Sequence, residues 1–88
     1  MKLIKLYSDT CGPCKVLENN LIKSKIKYDN VNIDSEEGEK LVEKYSIKSI
    51  PTLLLIDDND ILISKHSGVL TVEGIKAFIN ENNKTNHI

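Results

Sequence analysis

The residues of this 88-residue chain best suited to chemistry are its two cysteines, which are separated by two residues. Cys11-Gly12-Pro13-Cys14 stands where a short apolar stretch gives way to a helical pattern. This spacing brings both sulfurs within disulfide reach at the first turn of a helix. Cys11 then lies beside free backbone N–H groups at the positive end of the helix dipole, which stabilise an anion there. The thiolate is the nucleophile of thiol chemistry, so Cys11 is the candidate attacking sulfur. Cys14, one turn further in and more buried, is the candidate resolving sulfur. Pro13 fits the first helical turn because its missing N–H has no partner there anyway.

Two other uses of such a pair have to be weighed. A structural zinc site ordinarily takes four ligands. The chain has no further cysteine, and His66 and His87 are not spaced as ligands, so no metal is expected. A permanent structural disulfide suits a secreted domain. The opening run Met1-Lys2-Leu3-Ile4-Lys5-Leu6 is apolar too briefly for a secretory signal. A cytoplasmic location is the resulting expectation.

The pair needs elements to position it. Residues 2–7 read as a strand, and Ser8-Asp9-Thr10 as a loop. A helix follows from Gly12-Pro13, with Val16, Leu17, Asn20, Leu21 and Ser24 on one stripe. Residues 27–33 alternate, with Tyr28, Val31 and Ile33 as apolar members, and read as a second strand. Ser35 suits an N-cap, and Glu36 and Glu37 suit the positive end of the helix it opens. Leu41, Val42 and Tyr45 form that helix's inner stripe. Leu53-Leu54-Leu55-Ile56 reads as a strand buried on both faces. Asp57-Asp58-Asn59-Asp60 is a turn, and Ile61-Leu62-Ile63 returns antiparallel, ending at Gly68. Thr71 caps a last helix with Val72, Ile75, Phe78 and Ile79 inward. The order βαβαββα predicts one α/β domain over residues 1–82, with a four-stranded mixed sheet and helices on both faces. Residues 83–88 are expected to form a frayed tail.

Composition narrows the function. Hydrophobic residues are 40%, with no Trp and a single Phe, so the core must rest on Ile, Leu and Val. The formal net charge of −1 is unlike the basic stripe of a nucleic-acid binder. No apolar run reaches the roughly 18–20 residues that span a bilayer. Neither nucleic acid nor membrane is an expected partner.

The run from Leu3 through Tyr7-Ser8-Asp9-Thr10-Cys11-Gly12-Pro13-Cys14-Lys15 resembles the active-site segment of thioredoxins. Asn32-Ile33-Asp34, Tyr45-Ser46-Ile47-Lys48-Ser49-Ile50-Pro51-Thr52 and Gly68 resemble further landmarks of that family in the same order. The resemblance runs from Lys2 to about Asn82. It implies a minimal thioredoxin-like fold and a thiol–disulfide oxidoreductase that reduces protein disulfides through Cys11 and Cys14. It also implies a monomer with no metal or organic cofactor, reduced by an NADPH-dependent thioredoxin reductase. Ile50–Pro51 would be a cis peptide bond facing the cysteines. Thr10, Ile50, Pro51 and Gly68 would line a substrate groove. Residue type alone leaves open a trans proline opening a strand and a simple turn glycine.

The chain also departs from the family. Thr10 stands where thioredoxins usually carry a Trp, and Asn19 where many have a helix-kinking proline. Lys5 stands in place of the usual buried Asp, and Asn30 in place of the Lys that often accompanies it. Lys5 has two readings. Its stem can lie along the core with the ammonium in water, or it can lie behind the cysteines and favour a thiolate. Two functional alternatives remain. The truncated start fits a glutathione-dependent, glutaredoxin-like enzyme, although Val69-Leu70-Thr71 lacks that group's second glycine and acidic pair. The fold can also serve as a non-catalytic binding subunit.

Overall fold

In the computed structural model the structure describes residues 1–84. Its elements are β1 (Lys2–Tyr7), α1 (Gly12–Ser24), β2 (Asp29–Asn32), α2 (Glu36–Lys44), β3 (Thr52–Ile56), β4 (Leu62–Ser67) and α3 (Val72–Lys84). The sheet order is β2-β1-β3-β4, with β1 parallel to β2 and the other neighbours antiparallel. The βαβαββα order is therefore the one expected. The predicted tail begins within the last turn of α3, and residues 85–88, His87 among them, lie outside the described residues.

Alternation along the strands divides the core in two, because successive side chains point to opposite faces. Leu3, Leu53 and Leu55 pack with Leu17 and Leu21 of α1 and Ile75 of α3. Ile4, Leu6, Leu54 and Ile56 pack with Val31 on the other face, against which Leu41, Tyr45 and Ile47 lie. β3 is buried over its whole length, as its unbroken apolar run predicts.

The helices begin where their caps stand. Ser35 Oγ accepts from the Gly38 N–H, and Thr71 Oγ1 accepts from the Gly74 N–H. The inner stripe of α1 differs from the expected one. Cys14, Leu17, Leu21 and Ser24 face inward, while Val16 is 52% exposed. The three-and-four spacing from Cys14 sets the buried face, and Val16 lies a full 100° step off Leu17. The expected stripe of α2 is only half-buried, and the fully buried residue of that helix is Gly38. β2 is shorter than predicted, and β4 runs to Ser67 with a register shift at Leu55/Ile56.

Candidate functional site

β1 delivers the chain to the cysteines. After Tyr7 the loop is closed by the Cys11 N–H donating to the Ser8 carbonyl (3.3 Å). Asn32 Nδ2 donates to Asp9 Oδ1 (3.3 Å), tying the loop to the end of β2. Cys11 is the N-cap of α1, with extended backbone angles, and its Sγ accepts from the Cys14 N–H at 3.1 Å. A backbone donor at a helix N-terminus thus points at Cys11 sulfur, the arrangement that stabilises a thiolate once the pair is reduced. Cys11 and Cys14 are joined as a disulfide with their Cα atoms 5.3 Å apart. Cys11 is half-buried and Cys14 is 2% exposed. An incoming sulfur reaches Cys11 first.

The ends of three strands converge here. Leu6 of β1 pairs with Thr52 of β3, and Thr52 pairs with Ser67 of β4. Pro51 and Gly68, one residue beyond these pairs, therefore sit at the cysteine end of the sheet. Ile50–Pro51 is cis, and the Pro51 carbonyl accepts from the Gly68 N–H at 2.9 Å. Pro51 is buried, Ile50 is half-buried, and Thr10, Gly12 and Pro13 are exposed. Beside Ile50 a groove of about 170 Å³ is lined by Ile33, Val42, Ile47, Lys48 and Ser49. A larger depression of about 480 Å³, lined by Lys2, Ile26 and Tyr28 among others, opens at the opposite end of the sheet, away from the sulfurs.

Gly68 has φ +100° with open space where a Cβ would stand. Its constraint is thus the backbone angle alone. Gly68→Ala should lower stability by about 1–2 kcal/mol, read as a lower urea midpoint. An unchanged midpoint would mean that this turn relaxes freely.

The structure sets aside the reading of Lys5 with its ammonium in water. The ammonium does not reach water. Lys5 is 1% exposed, and its Nζ lies 3.1 Å from Glu18 Oε2 and 5.1 Å from the centre of the Tyr7 ring. A buried charge needs a partner, and α1 provides one. Sequence pattern alone does not single out Glu18. The available signal was an acidic residue one turn after Cys14, flanking an inward stripe. Glu18 also raises the pKa of Tyr28, second to the effect of burial on that phenol. His66 sits on edge strand β4 with its ring edge-on to Phe78 (6.2 Å between centres). Among the described residues, no group of three or more His, Cys, Asp and Glu is placed to hold a metal ion, and no helix is long and apolar enough to cross a membrane.

An open four-stranded sheet with a helix-capping cysteine disulfide at one end defines the class of thiol–disulfide oxidoreductases. The comparisons agree. The Thioredoxin family model matches residues 1–81. The thioredoxin of Buchnera aphidicola is 34% identical over 84 residues, covering 91% of this chain and 77% of the relative. That of Pseudomonas aeruginosa is 31% identical over 86 residues, with the same coverage of both chains. Among solved structures, Malassezia sympodialis thioredoxin superposes with a TM-score of 0.74 at 22% identity, over 91% of this chain and 72% of that one. Plasmodium falciparum thioredoxin gives 0.72 at 21% identity, over 91% and 83%. The chain belongs to the thioredoxin family, whose members act on protein disulfides.

Proposed function

We propose that Cys11 and Cys14 carry a dithiol–disulfide cycle that reduces protein disulfides, with a thioredoxin reductase as the electron donor. Cys11 attacks the substrate disulfide, and Cys14 resolves the mixed disulfide so formed. Gly12 and Pro13 shape the first turn of α1 around the sulfurs. Thr10, Ile50, Pro51 and Gly68 hold the substrate chain. Pro51 has no N–H and leaves neighbouring backbone free to pair with an extended peptide. Lys5 tunes the cysteines electrostatically from beneath α1. The protein acts as a monomer in the cytoplasm, with no metal or organic cofactor.

The observation that carries this reading is the asymmetry of the pair. A half-buried sulfur caps the helix and its buried partner lies one turn in, at the end of the sheet where Pro51 and Gly68 also stand. The test is reductant choice with insulin as substrate. Turnover is expected with NADPH and thioredoxin reductase, and little with NADPH, glutathione reductase and glutathione. Turnover with glutathione alone would make the protein glutaredoxin-like. Biological activity retained by a Cys11→Ser, Cys14→Ser double variant would make it a binding subunit.

A further inference from the structure

Resolution of the mixed disulfide requires Cys14 to lose a proton, since the thiolate is the attacking form. Cys14 is 2% exposed, so water alone gives a poor path. Lys5 Nζ is taken up by its contact with the Glu18 carboxylate. Tyr28 has its pKa raised, chiefly by burial, so it stays a neutral phenol. Asp9 is exposed and bound by Asn32. His66 faces Phe78 on the edge strand.

Glu18 is different. It stands four residues after Cys14 on α1, a spacing that places the two Cβ atoms about 5–6 Å apart on one face. Helical side chains lean toward the N-terminus, so Glu18 extends over the turn that holds Cys14. Lys5 Nζ, fixed in the sheet below, holds Glu18 Oε2 at 3.1 Å. The Glu18 side chain is 42% exposed against 1% for Lys5. Its carboxylate therefore joins the buried layer to solvent.

We propose that Glu18 accepts the Cys14 proton during resolution and that Lys5 is the positioning residue holding it there. The inference rests on the cysteine cycle proposed above. Cys11 thiolate attacks the substrate disulfide. The Cys11–substrate S–S bond forms, and the first substrate sulfur leaves as a thiolate that takes a proton from water. Glu18 then takes the Cys14 S–H proton, directly or through one water. Cys14 thiolate attacks Cys11 Sγ, the Cys11–substrate bond breaks, and the second substrate sulfur leaves. Two electrons have passed from the dithiol to the substrate, and the Glu18 proton returns to solvent at the exposed edge. Among the described residues, Glu18 is tied to Lys5 of β1, with the Tyr7 ring beside that ammonium, and to Tyr28 ahead of β2, and on its own helix Cys14 and Lys15 stand one turn before it.

The test is single-turnover reduction of insulin by the reduced full chain, acid-quenched and followed by intact mass without reductant. In Glu18→Gln the first attack should keep its wild-type rate. Resolution at pH 7 should slow by about a hundredfold, the lower end of what a positioned base contributes. The Cys11–insulin adduct should accumulate. Resolution in the variant should rise about tenfold per pH unit toward the ordinary thiol range near pH 8.5, and the wild type should be flatter. A purely electrostatic role predicts the opposite sign. Removing the negative charge would leave Lys5 free to favour Cys14 thiolate, and resolution would quicken. Unchanged or faster resolution overturns the proposal, and so does equal slowing of both steps, which marks a structural role. If Glu18→Gln does not fold, Glu18→Asp keeps the charge opposite Lys5 on a shorter arm. Resolution about tenfold slower, with first attack intact, would then be expected, and an unchanged rate would overturn the proposal. Failure of the underlying cycle looks different, because no Cys11 adduct would form even in the wild type.

Discussion

Cys11→Ser should reduce insulin-disulfide turnover by at least about a thousandfold, as loss of a nucleophile does where no second group can replace it. No substitute is at hand, because Cys14 is 2% exposed and lies inside the first turn. Serine at position 11 can still cap α1, so the fold should survive. Intact thermal unfolding with lost turnover is therefore the expected pair of results. Cys14→Ser should behave differently. Cys11 remains accessible and still attacks, but the mixed disulfide has no resolving sulfur and should persist as a covalent adduct visible by mass. Adducts at Cys14 in a Cys11→Ser variant would reverse the assigned order of the sulfurs.

Gly38→Ala should be strongly destabilising, although alanine is intrinsically the better helix residue by about 1 kcal/mol. A Cβ at Gly38 would overlap the Asn32 carbonyl and lie within 2.8 Å of Ile33 Cα, which is backbone that cannot swing aside. The same Asn32 carbonyl accepts from Ser35 Oγ at 2.6 Å and from the Ser35 N–H at 3.1 Å, so the turn between β2 and α2 has no slack. Overpacking of this kind costs roughly 1–3 kcal/mol or more. For a domain of this size a net loss of about 2 kcal/mol lowers Tm by roughly 8–16 °C. Asn32 also holds Asp9 in the loop before Cys11, so activity measured below Tm should fall as well. A raised Tm would show that α2 shifts off the sheet at little cost.

These two positions differ in how far the chain itself disclosed them. The cysteines and the strand Leu53–Ile56 were legible because their signals are local: a fixed spacing at a strand–helix junction, and an unbroken apolar run. The caps Ser35 and Thr71 were legible for the same reason. The cis bond at Ile50–Pro51 followed only from family resemblance, since nothing in the spacing distinguishes it from trans. Gly38 gave no sign of its role, which comes from how closely α2 approaches β2, a matter of packing. Lys5 shows the limit most clearly. Its burial depends on Glu18, 13 residues away on another element. A lysine in a strand is read as reaching water until such a partner is placed. Val16 reads as inward because a stripe taken from pattern alone can shift by one residue at its flank.

The sheet's two outer strands carry a further consequence, one of self-restraint in aggregation. An open edge is a template on which other chains can pair. Here β2 is only four residues long, with Asp29 and Asn30 exposed. β4 carries exposed Lys65 and a register shift against β3. Both edges use devices that discourage edge-to-edge pairing. A protein whose work on this reading is to grip extended segments of other chains must still offer free backbone somewhere. On that reading the guarded flanks confine the offer to the sheet end that holds Pro51, the end at which β1 leads to Cys11.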